Sequence, residues 1–306
     1  MPLRLLHPRV LLVLAVLPLS GCLFRSHKVQ PSINVSLKIA TSQQLIDYVN
    51  TQAEKIQTMQ ATVDIDTSVG GEKKGKVTEY EEIRGYVLAR KPAMLRMIGL
   101  MPIVRNRAFD MVSDGRDFKL WIPPKNRFVI GRNDIETPNP TQPIENIRPR
   151  HIYDALLLRH IDPKTEIAVM ENQTQTTTDA KGQKVSSAEY VLDIIRTGER
   201  PFLSRKIVFS RTDLLPHRQL LYDQEGNVAT SALYENYHED NGLNFPWLIA
   251  ISRPEEEYDI TLHVVKLDLN QPLPDDKFVL EQPPNVEVVH LDKPASNPAS
   301  PPGSSH

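Results

Sequence analysis

The sequence predicts a mainly β protein built around one strongly curved antiparallel sheet. Segments that alternate apolar and polar residues, as half-buried strands do, follow one another through most of the chain. Proline accounts for 25 of the 306 residues, about 8% where about 5% is usual, which favours short strands over long helices. A run of consecutive antiparallel strands closes partly or wholly on itself, so we expect a single domain with its helices on the concave face.

Charge and cysteine content limit the classes of function. The chain has 36 basic and 38 acidic side chains, a formal charge of −2. This balance argues against nucleic acid as a partner because phosphate binding needs a clearly basic surface. The single cysteine excludes a disulfide framework, a cysteine-based zinc site and an iron–sulfur cluster.

Residues 1–21 have the pattern of a signal peptide. Arg4 and Arg9 supply a positive start, and the apolar stretch 10–17 is too short to span a bilayer. The next residues, Leu19-Ser20-Gly21-Cys22, resemble the lipobox of bacterial lipoproteins, where signal peptidase II cuts before a cysteine that carries a thioether-linked diacylglycerol. Cys22 is therefore the predicted lipidation site and membrane anchor. The alternative is an ordinary secretory signal with an incidental cysteine.

Composition divides the mature chain into three parts. Residues 22–41 form the lipidated N-terminus and a polar tether, and 292–306 form a Pro/Ser-rich tail that is expected to be disordered. The folded domain is expected over 42–291. Leu23 follows the cysteine where an Asp would signal inner-membrane retention in enterobacteria, so outer-membrane delivery is the predicted route.

The first half of the domain begins with a helix and continues as strands. Thr41 and Gln44 fit a capping box. An amphipathic stripe then follows at Leu45, Val49, Gln52, Ile56 and Met59. Period-two alternation predicts strands near 61–69, 80–90, 94–98, 105–113, 116–122 and 126–131. Asp114-Gly115 marks a hairpin turn between two of them.

The second half follows a proline-rich insert at 133–149, which forbids a regular ladder. A short helix is predicted over 151–160. Strands are then predicted near 164–170, 187–195, 204–210, 215–224, 228–238, 245–252 and 257–269, with turns at Gly182, 225–227 and 241–242. In the last strand the apolar parity changes after Val264, which indicates a β-bulge or sharp bend.

No motif predicts catalysis. Nucleophile elbows, His-Glu-x-x-His, phosphate loops and Cys-x-x-Cys are absent from the sequence. His151 and His160 are nine residues apart, which does not suit a helical metal pair. The acidic runs 79–82 and 255–257 fit solvated strand ends as well as paired catalytic carboxylates. We therefore expect neither an enzyme nor a bound metal or cofactor.

One connection is unusually apolar. Leu100, Met101, Ile103 and their neighbours lie between two predicted strands, where polar turn residues are normal. The loop is either tucked under a helix or protrudes to contact a lipid or membrane. Flanking Arg105 and Arg107 would suit lipid phosphates in the second case.

Taken together, the chain resembles the LolA/LolB lipoprotein-localisation family, most of all LolB, the outer-membrane lipoprotein receptor. The similarity rests on an ordered series of loose patterns: 45–69, Arg84 to Pro92, Leu95 to Gly115, Tyr153 to Leu158, Leu267 to Pro274, and Phe278. The chain departs from LolB in its greater length, the insert at 133–149 and the Pro/Ser tail.

The resemblance implies an incomplete barrel of about eleven strands, with helices as a lid over an apolar cavity for lipoprotein acyl chains. In LolB an apolar residue on the loop between the third and fourth strands is needed to place lipoproteins in the membrane. Here the match is Ile103, with Leu100 and Met101 beside it. The expected role is a lipid-anchored outer-membrane protein, facing the periplasm, that binds acyl chains of lipoproteins or another lipid in this cavity and delivers them to the membrane. A periplasmic carrier protein is a further candidate partner. The competing hypotheses are an envelope-stress sensor or assembly factor that binds a protein partner, and a hydrolase with an unread site.

Overall fold

The computed structural model describes residues 36–71, 75–134, 145, 147–178, 182 and 184–291. The predicted signal peptide, Cys22, most of the tether and the tail from 292 lie outside these residues, as does most of the proline-rich insert. Almost all of the described residues belong to one unit that begins at Leu37.

The first helix, α1 (Ser42–Lys55), has the predicted capping box. The Thr41 hydroxyl accepts a hydrogen bond from the Gln44 amide at 3.3 Å, and the Gln44 side chain accepts one from the Thr41 amide at 2.8 Å. The helix ends before Ile56, whose backbone is extended, so the prediction that the helical stripe continues to Met59 is wrong. Leu45 and Val49 are buried on the strands of the C-terminal half.

Seven strands follow α1 in the first half. They are β1 (Thr58–Gly71), β2 (Lys76–Glu79), β3 (Ile83–Arg90), β4 (Met94–Leu100), β5 (Arg107–Ser113), β6 (Asp117–Ile122) and β7 (Arg127–Arg132). The predicted turn at Asp114-Gly115 joins β5 to β6, and Gly115 has a φ of +96° that glycine adopts freely.

The second half opens with helix α2 (Pro149–Leu156), four residues shorter at its end than the predicted helix. Eight strands follow: β8 (Glu166–Thr178), β9 (Lys184–Arg196), β10 (Phe202–Ser210), β11 (Pro216–Tyr222), β12 (Val228–Asp240), β13 (Leu243–Arg253), β14 (Tyr258–Leu269) and β15 (Glu287–His290). The predicted turns at Gly182, 225–227 and 241–242 join neighbouring strands.

The strands of the described residues form one open sheet in the order β15-β7-β6-β5-β4-β3-β1-β14-β13-β12-β11-β10-β9-β8, with β2 beside β1. All pairs are antiparallel except β15 with β7. The predicted incomplete barrel is therefore confirmed as a fold class, with fifteen strands rather than about eleven. Two meanders, β3–β7 and β8–β14, meet where β1 pairs with β14.

The sheet is strongly curved. Helix α2 contacts β4, β5 and β13. In the sheet order β4 and β13 are four strand spacings apart, about 19 Å if the sheet were flat, whereas a helix is only about 10–12 Å wide. The sheet must therefore curl around α2. The predicted bulge adds to this: Thr62 pairs with Lys266 and Val63 with Val264, which leaves Val265 as the extra residue.

Candidate functional site

An apolar cavity of about 250 Å³ lies between the first half of the sheet and α2. Successive side chains of a strand point to opposite faces of the sheet, so those at every second position of β1, β4, β5 and β6 face this cavity. The walls include Ile65, Met97, Met111, Leu120, Ile122 and Ile152. Polar contributions are few, mainly Thr67 and Glu81. The volume lies just below the range of about 300–1,000 Å³ typical of small-molecule pockets.

A glycine lets two cavity side chains meet. A Cβ at Gly99 would come within 2.4 Å of the Phe109 ring and 2.6 Å of the Ile83 side chain. Both side chains line the cavity beside the β4–β5 connection. The absence of a side chain at Gly99 therefore sets the shape of the wall at this point.

The β4–β5 connection protrudes at the edge of this cavity. Met101 and Pro102 line the cavity, whereas the next residue, Ile103, is 99% exposed and Val104 is 65% exposed. Leu100 is half-buried at the end of β4. Of the two sequence-based possibilities, the tucked loop is wrong: Met101 lies on the cavity wall and Ile103 forms the exposed tip.

The loop has a fixed and strained backbone. The Met101 amide donates to the Asn106 carbonyl at 2.7 Å, and the Arg105 amide donates to the Met101 carbonyl at 3.1 Å. Ile103 has a φ of +65° and Arg105 of +53°. A β-branched residue rarely adopts this left-handed conformation, which costs on the order of 1–3 kcal/mol. Such strain tends to occur at functional sites, and here it presents an isoleucine to solvent.

The two flanking arginines differ. Arg107 lies 3.2 Å from the Asp110 carboxylate and over the Trp121 ring. Asp110 is fully buried and also binds Arg96 at 2.8 Å, so Arg107 belongs to a structural ion network. Arg105 is exposed and has no ion-pair partner among the residues the structure describes. Of the two, only Arg105 is available for a lipid phosphate.

The structure does not bring the candidate catalytic groups together. His160 lies 3.4 Å from Glu54, while His151 lies near Thr230 and Arg253. Glu256 pairs with Arg253. Within the described ranges no group of three or more His, Cys, Asp or Glu side chains could hold a metal ion. No helix among these residues has the length and apolarity needed to cross a bilayer.

The fold and cavity thus define an open half-barrel with an apolar interior. No protein-family model matches the sequence, and no curated protein is significantly similar to it. Among solved structures, a LolA superfamily protein from Nitrosomonas europaea is 16% identical with a TM-score of 0.44, over 79% of this chain and 99% of that one.

Two further solved structures are similar to the same extent. A putative outer membrane lipoprotein-sorting protein domain from Vibrio parahaemolyticus is 13% identical, with a TM-score of 0.45 over 77% of this chain and 94% of that one. A DUF1329 family protein from Desulfovibrio piger is 13% identical, with a TM-score of 0.43 over 78% and 96%. Identities and TM-scores this low carry no argument about function, so any function has to be argued from the cavity and the β4–β5 loop.

Proposed function

We propose that this chain is a lipid-anchored envelope protein that binds acyl chains in its apolar cavity and delivers them to a membrane through the β4–β5 loop. The observation that carries the proposal is the continuity of cavity and loop. Met101 and Pro102 line the cavity, and Ile103, the next residue, is the exposed tip. If the tip of the loop is inserted in a membrane, an acyl chain that leaves the cavity at this point enters the same membrane.

The energetics favour carriage. Burial of an acyl chain recovers roughly 0.8 kcal/mol per methylene, and the cavity offers almost no competing polar groups. A complete acyl chain requires the cavity to widen. Met97, Met101 and Met111 line it, and methionine side chains adapt readily to different occupants because they are unbranched.

The loop can supply the step into the membrane. Burying one isoleucine in an apolar medium contributes about 1.5–3 kcal/mol, enough for transient insertion without permanent attachment. Permanent attachment is the predicted role of the acylated Cys22, at the end of a tether of about twenty residues. Outer-membrane location and a periplasmic donor protein complete the proposal.

Binding is tested with a fluorescent fatty acid on the chain carrying Cys22→Ser. We expect saturable binding near one per protein and displacement by a lipidated peptide. Ala108→Trp places an indole in the cavity and should weaken binding, whereas Ala108→Ser should not. Absence of binding at micromolar ligand, or equal binding by both variants, would exclude the cavity as the site and favour a protein partner.

A further inference from the structure

A second cavity, of about 220 Å³, lies on a different face of α2. Ile152 faces the apolar cavity, whereas Arg150, His151 and Asp154 line the second one. This division follows from the helical period, which places positions 150, 151 and 154 together and 152 apart from them. The other walls come from β9–β12, so this cavity belongs to the C-terminal half of the sheet.

The second cavity is rich in arginine. Its lining includes Arg150, Arg159, Arg196 and Arg205. The carboxylates that face these groups are Asp154 in the lining and Glu166, which binds Arg159 at 2.8 Å and Arg205 at 3.2 Å. Among the described residues, four guanidinium groups against these two carboxylates leave a surplus of two positive charges.

Arg205 is the buried member of this group, with 1% of its side chain exposed. Its two terminal nitrogens donate to the carbonyls of Arg159 at 2.7 Å and His160 at 3.1 Å. Its Nε is buried with no hydrogen-bond partner among the described residues. An unsatisfied buried donor costs about 1–3 kcal/mol, so a bound group that supplies an acceptor to this nitrogen would be stabilised.

A bulge in β10 turns Arg205 toward this cavity. Leu203 pairs with Ile195 and Arg205 with Ile194, which leaves Ser204 as the extra residue. In a regular strand Ser204 and Arg205 would point to opposite faces, but with the bulge both line the cavity. Bulges that re-aim a side chain are common beside binding sites.

Burial shifts the pKa of two groups that line this cavity. Burial and the neighbouring Arg159 lower the pKa of Arg205 to about 10. Burial also raises the pKa of Asp154 above its ordinary value, although Arg150 opposes this. The contribution of Arg159 to the first shift, and the opposing effect of Arg150 on the second, both reflect the positive charge around the cavity.

We propose that this cavity binds a phosphate group, held by Arg205 at its buried side and by Arg196. A phosphate carries about −1.5 to −2 charges at neutral pH, which matches the surplus of two. A guanidinium group can bind phosphate oxygens bidentately, as Arg196 is free to do, whereas Arg205 offers its remaining donor, Nε. Arg196 is exposed and takes part in no ion pair among the described residues. It lies directly across the ladder from Glu166 on one side and Phe202 on the other.

The group can come from a soluble phosphate ester or from a phospholipid headgroup. The chain carrying Cys22→Ser is titrated by calorimetry with inorganic phosphate and with glycerol 3-phosphate. Flotation with phosphatidylcholine vesicles, with and without phosphatidic acid, provides the lipid arm. Arg196→Gln removes one charged contact and should weaken binding about tenfold. Arg200→Gln, an exposed arginine four residues away that does not line the cavity, should change it less than twofold.

Saturable binding of the soluble phosphates with this difference between the variants supports a soluble ester. If the two variants differ only in flotation with vesicles that contain phosphatidic acid, the result supports a phospholipid headgroup as the ligand. Absence of binding in both arms at millimolar phosphate would overturn the proposal, and so would equal losses in the two variants, which would indicate unspecific attraction between charges. Because the apolar cavity lies elsewhere, fatty-acid binding by Arg196→Gln should stay normal, so this result is independent of the proposed carrier function.

Discussion

At the scale of single residues, Ile103 carries the delivery hypothesis. Its side chain is exposed and its left-handed backbone is held by hydrogen bonds within the loop. We expect Ile103→Glu to change the free energy of unfolding by less than about 0.5 kcal/mol, as is usual at exposed positions. It should preserve fatty-acid binding but impair transfer into liposomes, because a carboxylate resists entry into the bilayer.

Ile167→Glu is the matched control, since Ile167 is an exposed isoleucine on β8, far along the sheet from the loop. It should transfer normally. A large loss of stability in Ile103→Glu would contradict the exposed loop, and normal transfer by this variant would contradict its role in delivery.

Asp110 illustrates the opposite kind of residue. It is fully buried between Arg96 and Arg107, so its removal leaves two guanidinium groups without their carboxylate. Breaking a buried pair in this way costs roughly 3–5 kcal/mol. We expect Asp110→Ala to lower the midpoint of urea unfolding accordingly, and the exposed Asp276→Ala to leave it nearly unchanged. Equal midpoints for the two variants would refute the structural role of Asp110.

His217 gives the stability a predictable pH dependence. Its Nε2 lies 2.8 Å from the Asp213 carboxylate, and this hydrogen bond raises the pKa of His217 above 6.5. The stabilisation is therefore complete below the unfolded pKa and disappears as the pH rises through the higher folded pKa. The melting temperature of the wild type should exceed that of His217→Gln most at about pH 5–6, below the ordinary histidine pKa of about 6.5, and the difference should shrink as the pH rises through the higher folded pKa. A difference that grows with pH would disprove the pairing.

At the scale of elements, residues 270–286 cover one face of the first half of the sheet. Leu273, Phe278 and Leu280 pack in a cluster with Val112 and Phe128. Arg90, Arg96 and Lys119 donate hydrogen bonds to carbonyls of this segment. We expect Phe278→Ala to destabilise the protein by about 3–5 kcal/mol, measured by thermal or denaturant unfolding. The exposed Val279→Ala, one residue away, is the control, and equal effects would show that the segment is not packed on the sheet.

Helices and strands whose apolar residues repeat at a regular spacing could be predicted from the sequence. Elements that form only through contacts with residues distant in the sequence could not. The capping box at Thr41, the bulge at Val265 and thirteen of the strands follow from residue spacing. The short strands β2 and β15 are exposed or half-buried and have too few residues to show alternation. Ile56 and Met59 continue the helical spacing of α1 although they lie beyond its end, because their burial comes from the sheet.

The candidate site shows the same limit. The apolar connection at 99–104 is visible in the sequence, but the exposure of its tip at Ile103 depends on a backbone conformation that residue spacing does not reveal. The cavity wall was not predictable, since it depends on which strand faces lie opposite α2. The second cavity, with its four arginines, could not be predicted from the sequence. Its arginines come from α2, from the connection after α2, from β9 and from β10, and the bulge in β10 turns Arg205 toward the others.

At the scale of the whole molecule, the two meanders are joined through β1, which pairs with β3 on one side and with β14 on the other. Met59 of β1 lies opposite Leu269 of β14. Nearly the whole domain lies between these two residues in the sequence, so β1 gains its second neighbouring strand only after this long loop has closed. Such distant pairing makes folding slow. A chain secreted from its N-terminus would therefore reach the far side of the membrane, and receive its lipid, long before β14 emerges. The predicted anchor would then hold an unfinished sheet at the membrane surface, away from other copies with which its open β1 edge could pair.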